Sequence, residues 1–256
     1  MPALAEDLAC SLDPVRLAHR MGIAPDSWQE RVLRSPSKQV ILNCSRQVGK
    51  STVTGILAGH TALYEPGAPV LLLSPTERQS LELLRKVKDT LRQLGTETAE
   101  VEKDNALSLE FASGSRILAL PGKEGTIRGF SGVRLLVIDE ASRVPDALYQ
   151  AVRPMLAVSG GRIVLLSSPA GKRGFFHHEW TAGGDDWERV EITAYDCPRI
   201  SRAWLGKERA SIGDWWFEQE YLCQFKETTE QVFGYDEVMG ALSSDVAPLF
   251  PLGDTR

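Results

Sequence analysis

The residues from Ile41 to Thr52 read I-L-N-C-S-R-Q-V-G-K-S-T. They match the phosphate-cradling pattern G-x-x-x-x-G-K-[ST] except at the first position, where Cys44 replaces glycine. Each residue type suits binding of a polyphosphate. Gly49 lets the backbone approach phosphate oxygens, which accept from consecutive amides at a helix N-terminus. Lys50 supplies a point charge for the β and γ groups, and the Ser51 hydroxyl suits Mg²⁺. Cys44 is small enough to leave the turn intact. Arg46 adds a second cation able to pair bidentately with a phosphate; as a residue type it also suits plain surface exposure. On this reading Cys44, Ser45, Arg46, Gln47, Val48, Gly49, Lys50, Ser51 and Thr52 form the nucleotide-holding segment. A Gly-Lys-Ser triplet alone is a weak signal. Here it directly follows an apolar strand and opens a helical pattern, as the chemistry requires.

A second constellation is the apolar run Leu135–Ile138 ending in Asp139 and Glu140. An acid at the C-terminal end of such a strand meets a metal ion held on the phosphate loop. Asp139 is thus the candidate metal anchor, and Glu140 the candidate group that polarises a water for in-line attack on a γ-phosphate. The run Leu165–Gly171 is another strand, ending in Ser167 and Ser168. Its hydroxyls suit sensing of the γ-phosphate and coupling its loss to the rest of the domain; a plain strand exit fits the same residue types. The loop Gly125–Phe130 holds Arg128. An arginine reaching into a neighbour's site would accelerate transfer by about 10³–10⁵. Arg143 is a second candidate for that role, and a surface cation is the alternative for both.

These groups need a scaffold, and the apolar rhythm supplies one. Gln39–Asn43, Pro69–Ser74, Arg134–Asp139 and Arg162–Ser167 are β-branched and leucine-rich without polar alternation, as strands covered on both faces are. Between them, Asp26–Leu33, Ser51–Tyr64, Thr76–Leu94 and Asp146–Leu156 carry helical periodicity. Leu107–Phe111 and Arg116–Leu120, joined through Ser113-Gly114, predict an inserted antiparallel hairpin. Alternating strands and helices imply an α/β fold with a mostly parallel sheet flanked by helices. After about Gly174 the pattern changes: Trp187–Cys197 alternates as a strand, and Arg202–Ile212 and Asp214–Phe225 are tryptophan-rich helical stretches. They predict a smaller C-terminal subdomain.

Composition sets outer limits. The 256 residues allow one large core or one core with a small appendage. Apolar runs are strand-sized, far too short to cross a bilayer, so no membrane partner is expected. Four scattered cysteines without a C-x-x-C pair argue against a zinc site or disulfide scaffold and suit a reducing cytosol. A net charge of −5 counts against whole-surface nucleic-acid binding, while leaving room for a local basic stripe.

Taken together, C-S-R-Q-V-G-K-S-T, L-L-V-I-D-E-A, T-I-R-G-F-S and S-S-P-A-G, in this order and spacing, resemble the ATPase domain of the large terminase subunit of tailed bacteriophages. Asp26-Ser27-Trp28-Gln29 is similar to that family's adenine-recognition segment, which puts Trp28 and Gln29 among the nucleotide-binding residues, with Gln29 reading the base edge. Trp187–Phe225 is similar to its lid. The resemblance implies a RecA-like P-loop core with a small lid, using ATP and Mg²⁺. It divides the chain into an N-terminal extension (1–20), the ATPase core (21–180), the lid (181–235) and a linker toward an absent nuclease domain (236–256). It further implies a DNA-packaging motor: a homo-oligomeric ring, pentameric by analogy, acting on double-stranded DNA at the portal of a procapsid. A small terminase subunit would be a partner, the host cytoplasm the location, and Arg128 the trans-acting arginine. Asp236, Glu237 and Asp245 form no acidic metal cluster, so no nuclease activity is expected of this chain. Two other readings use the same residues: a superfamily 2-type helicase or translocase fragment, and a non-catalytic nucleotide-binding DNA module. Glu140 separates the latter, since a module without turnover needs no water-polarising acid.

DNA contacts are the least defined part of the sequence. On Thr76–Leu94, Arg78, Arg85, Lys88 and Arg92 fall near one side, and Lys123 and Lys172 lie in loops near strand ends. Such a stripe grips phosphates without reading bases, although Glu77, Glu82 and Asp89 would equally balance a solvated face. His177-His178 reads as a surface pair, and Trp204, Trp215 and Trp216 as lid core.

Overall fold

The computed structural model describes residues 2–94, 101–120 and 129–227, together with positions 238, 240 and 241. The chain begins with three helices, α1 (Pro2–Leu12), α2 (Pro14–Arg20) and α3 (Ser27–Arg34). β1 (Gln39–Cys44) leads into α4 (Lys50–Tyr64), and β2 (Pro69–Leu73) into α5 (Glu77–Arg92). Three edge strands follow: β3 (Val101–Asp104), β4 (Ser108–Phe111) and β5 (Arg116–Leu120). Then come β6 (Leu135–Asp139), α6 (Asp146–Val152), β7 (Arg162–Ser167), α7 (Gly174–Thr181) and β8 (Trp187–Ile192). Helices α8 (Arg202–Ile212) and α9 (Asp214–Tyr221) complete the described elements.

Among the described residues the strands form one eight-stranded sheet in the order β3-β4-β5-β2-β6-β7-β1-β8. From β5 to β8 every pairing is parallel; β3 and β4 add an antiparallel edge through the expected hairpin. The purely apolar strands are explained by cover on both faces. In β1, Val40 and Leu42 join a core under α1–α5, while Ile41 joins the opposite core under α6 and α7. The one-residue alternation follows from the two-residue pleat, and all three side chains are fully buried.

Several element ends differ from the sequence reading, each for a local reason. The expected helix Asp146–Leu156 is α6 followed by a 3₁₀ turn, Arg153–Leu156, because Pro154 has no amide to continue the α-helical ladder. The strand expected to reach Cys197 stops at Ile192, where Thr193 and Asp196 form a reciprocal cap on a short 3₁₀ turn. Helix α9 ends at Tyr221 rather than Phe225, and Cys223 then takes a left-handed φ of 59°. Helices α1, α2 and α7 and strand β3 were not anticipated as elements; β3 is exposed along its whole length and so carries no burial pattern.

The α8–α9 pair has a small core of its own, built from Ala194, Leu205, Phe217 and Tyr221. Gly213 joins the two helices at φ 80°, a backbone state that favours glycine over side-chain-bearing residues. The tryptophans expected in that core lie largely outside it: Trp204 is 46% and Trp216 51% exposed.

Candidate active site

The loop after β1 is fixed at its start and open at its end. The Ser45 amide donates to the Ile192 carbonyl of β8 (2.8 Å), and the Arg46 amide to the Glu220 carbonyl of α9 (3.3 Å). The chain then reverses through Gln47 (φ 62°) and Gly49 (φ 100°). A side chain at Gly49 would put its Cβ 2.8 Å from Gln29 Nε2 and 3.4 Å from the Arg199 guanidinium, so a larger residue would be strained at this φ and would push Gln29 aside. Lys50 folds back, its Nζ donating to the Ser45 carbonyl (3.1 Å). The Thr52 amide already donates to the Gly49 carbonyl (3.1 Å), so the amides of Lys50 and Ser51 are those that this helix N-terminus offers to an anion. Cys44 belongs to the hydrophobic core, and burial pushes its thiol up to about 12. Its small apolar side chain therefore works as strand packing where the pattern has glycine.

Asp139 and Glu140 lie at the end of β6, and β7 runs between β6 and β1. The register is continuous: Asn43 of β1 pairs with Ser167 of β7, and Leu166 of β7 with Asp139 of β6. One shared strand thus sets the spacing between the phosphate loop and the acids. Glu140 adopts a left-handed φ of 51°, and its amide donates to Asp139 Oδ1 (3.0 Å). Burial, then the neighbouring Glu140 charge, push the Asp139 carboxyl up to about 6, with Lys50, the Glu140 amide and Lys86 pulling it back. Two adjacent carboxylates lining the same cleft as the Ser51 hydroxyl are oxygen donors of the kind that suits a divalent cation. A cleft of about 480 Å³ joins these groups. Arg46, Gln47, Gly49, Lys50, Ser51 and Thr52 line one wall, Asp139 and Glu140 another, and Gln79, Glu82, Leu83 and Lys86 of α5 a third. A larger hollow of about 740 Å³ lies between α6 and α7, lined by Tyr149, Arg153, Phe175 and His177, and shares no lining residue with the cleft at the phosphate loop.

Glu220 of α9 connects the parts of the site. It is paired with Arg46 (2.6 Å) and Arg143 (3.3 Å), and it accepts from the Ser168 hydroxyl (3.1 Å). Arg143 also pairs with Glu140 (3.1 Å), so a charge network runs from α9 to the water-polarising candidate. Ser167 and Ser168 are tied to the segment after β6: the Ser142 hydroxyl lies 2.7 Å from the Ser167 hydroxyl and donates to the Ser168 carbonyl (2.8 Å). Glu220 was not singled out by sequence; its signal was an acid inside the aromatic run of α9.

Gln29 is 3% exposed, and both ends of its amide are engaged. Its Oε1 accepts from the Asp26 amide (2.8 Å), and its Nε2 donates to the Gly49 carbonyl (3.3 Å). Here Gln29 braces the phosphate loop. Trp28 packs partly buried against the core beside it. Arg199, unforeseen by sequence, bridges Asp26 (2.7 Å) and the Val48 carbonyl (2.9 Å). On α5, Arg85 pairs with Glu82 and Arg92 with Asp89, both exposed, while Lys88 is only 11% exposed and ties α5 to Asp104 and the Asn105 carbonyl. Lys123 and Arg128 lie outside the described residues. His177, expected at the surface, is 6% exposed with its ring edge-on to Phe225.

Strand order, phosphate loop and the acid pair at the end of β6 define a RecA-like P-loop core. The family described as "Terminase large subunit, T4likevirus-type, N-terminal" matches residues 41–238, and the chain belongs to it. The large terminase subunit of Thermus phage G20c is 25% identical over 247 residues, covering 83% of this chain and 51% of the relative. The chain therefore spans about half the length of the curated relatives it matches. The solved ATPase domain of the Thermus phage P74-26 large terminase superposes with a TM-score of 0.74 at 22% identity, covering 84% of this chain and all of that one. A large terminase from a thermophilic bacteriophage, solved in complex with ATP-gamma-S, has a TM-score of 0.63 at 15% identity, covering 78% of this chain and 52% of that one. At these identities the structures establish the shared fold.

Proposed function

We propose that this chain is the ATPase motor part of a DNA-packaging large terminase, hydrolysing ATP with Mg²⁺ to move double-stranded DNA into a procapsid. The observation that carries this reading is the shared cleft, with Lys50 and Ser51 on one wall and Asp139 and Glu140 on another. Family membership and the ATP-gamma-S complex of a fold relative support ATP as the ligand.

In this reading the α4 amides and Lys50 hold the β and γ phosphates and neutralise charge that builds on the transferring group. Ser51 and Asp139 would hold Mg²⁺, which when bound supplies further positive charge to the phosphate oxygens. Glu140 takes a proton from water as the water oxygen bonds to the γ-phosphorus. The bond from that phosphorus to the β–γ bridging oxygen breaks, leaving ADP and inorganic phosphate. Ser167 and Ser168 sit between loop and acids, next to Glu220, where loss of the γ-phosphate would be felt by α9. Residues 181–235 would then serve as the lid on a core of residues 21–180.

Steady-state phosphate release from the wild type and from Glu140→Ala, with and without DNA, tests the reading. It is supported if Glu140→Ala abolishes release and retains ATP binding. Nucleotide binding without release in the wild type overturns it in favour of a non-catalytic module.

The assembly belongs to the same proposal: a pentameric ring at the portal, with a small terminase subunit, in the host cytoplasm. Arg128 would act in trans, and mixing Lys50→Ala with Arg128→Ala subunits tests this. Partial recovery of turnover supports a shared site, and none at any ratio overturns it. Arg85, Arg92 and Lys123 are the proposed DNA-phosphate contacts. Lys88, engaged with Asp104, is better suited to holding the β3 edge on α5.

A further inference from the structure

One wall of the cleft comes from α5, an element outside the phosphate loop and the acid strand. Gln79, Glu82, Leu83 and Lys86 recur at three- and four-residue spacing and so share the face turned to the loop. Lys86 differs from three of the other cations on this helix and, unlike Arg78, lines the cleft. Arg85, Lys88 and Arg92 each pair with a carboxylate. For Lys86 the partner is the Ser51 hydroxyl, 3.4 Å from its Nζ, with no carboxylate in ion-pair range among the described residues.

The backbone under Lys86 is firmly set. One turn later, α5 meets α4 at two glycines. A Cβ on Gly55 would lie 2.9 Å from Thr90 Oγ1, and one on Gly59 2.9 Å from Leu91 Cδ2. The Thr90 hydroxyl also donates to the Lys86 carbonyl (2.8 Å). Helix α4 carries Lys50 and Ser51 in its first turn, so this contact fixes Lys86 relative to the phosphate loop.

We propose that Lys86 is a nucleotide-binding residue: its ammonium engages the triphosphate from α5, opposite Lys50, and releases the Ser51 hydroxyl when Mg²⁺ takes it. The proposal rests on the ATP reading above and deepens it. An ammonium at the Ser51 hydroxyl stands where a metal-coordinating oxygen would meet its cation, so Lys86 carries more of the phosphate charge when metal is scarce.

The test is titration of a fluorescent ATP analogue into wild type, Lys86→Met, Lys86→Arg and Lys50→Ala, in Mg²⁺ and in EDTA. In EDTA, Lys86→Met is expected to bind about tenfold more weakly than wild type, since charge-assisted contacts are about twice as strong as neutral ones. The deficit is expected to narrow to about threefold or less in Mg²⁺, and Lys86→Arg to restore most of the affinity. A merely structural lysine would show a lowered Tm and the same deficit in both conditions, which overturns the proposal. Equal affinity of Lys86→Met and wild type in EDTA also overturns it, while wild type and Lys50→Ala still report on the ATP reading. That reading fails separately if wild type shows no Mg²⁺-dependent binding that Lys50→Ala removes.

Discussion

The sheet around the phosphate loop and the α8–α9 pair make up the site in opposite ways. In the sheet, β1, β7 and β6 are sealed on both faces, and Val40, Leu42, Val164, Leu165 and Ile138 have no exposed surface. The α8–α9 pair has a four-residue core and leaves Trp204 and Trp216 half in solvent. The side-chain links of α9 to the site described above are polar, Glu220 meeting Arg46, Arg143 and Ser168. In the segment before α8, Arg199 bridges Asp26 and the Val48 carbonyl, while Ile200 packs against both the core under α1–α5 and that of α8–α9. Packed apolar interiors hold one arrangement, because displacing them opens voids. Ion pairs whose cations reach solvent, as Arg46 and Arg143 do around the buried Glu220, are less costly to rearrange than a packed interior. On the proposed reading, the chemistry would rest on the part that resists displacement and be sensed by the part held through exposed cations.

Substitutions in each region would break or sharpen this contrast. The largest effect is expected at the acid strand: Glu140→Gln should lower the phosphate-release rate by roughly 10²–10⁴ while ATP binding persists. An unchanged rate would remove Glu140 from the chemistry. Next is the sheet itself. Leu166→Ala, in the strand shared by loop and acids, should cost about 2–5 kcal/mol in a urea unfolding experiment. Glu220→Ala should cost less, about 1–2 kcal/mol, since its partners Arg46 and Arg143 are partly exposed. A loss as large as that for Leu166→Ala would mean that α9 is as rigidly docked as the sheet. Trp216→Ala, at the exposed end of the scale, should stay within about 0.5 kcal/mol of wild type. Cysteine chemistry gives a complementary measure. Cys44, buried and with its thiol raised to about 12, should resist a thiol-alkylating reagent until the protein is unfolded. Rapid labelling of Cys44 in the native state would show that the loop's base opens.

The same contrast explains what could be read from the residues. The sheet was legible because its strands are apolar without interruption, and because Gly49-Lys50-Ser51 and Asp139-Glu140 mark the ends of two of them. The fold class, the four central strands and the hairpin followed from those signals. Ends set by single local events were not legible, such as the missing amide of Pro154 or the Thr193–Asp196 cap that stops β8. Pairings between residues far apart in the chain left no mark either. Glu220 meets Arg46 across 174 positions, and Gln29 meets the Gly49 carbonyl across 20, so neither residue type announces its partner. The tryptophans of α8 and α9 misled because aromatic content indicates apolar area without saying which side of a short helix it occupies.

Placing β7 between β1 and β6 has a mechanical result. A hydrogen-bonded strand moves against its neighbour only in discrete steps, and a one-residue step turns every side chain to the wrong face. Strand sliding therefore offers no continuous adjustment of the gap between Lys50 and the acids. Any change in that gap that leaves the strands unslipped must instead arise in side chains and in helices docked at the strand ends.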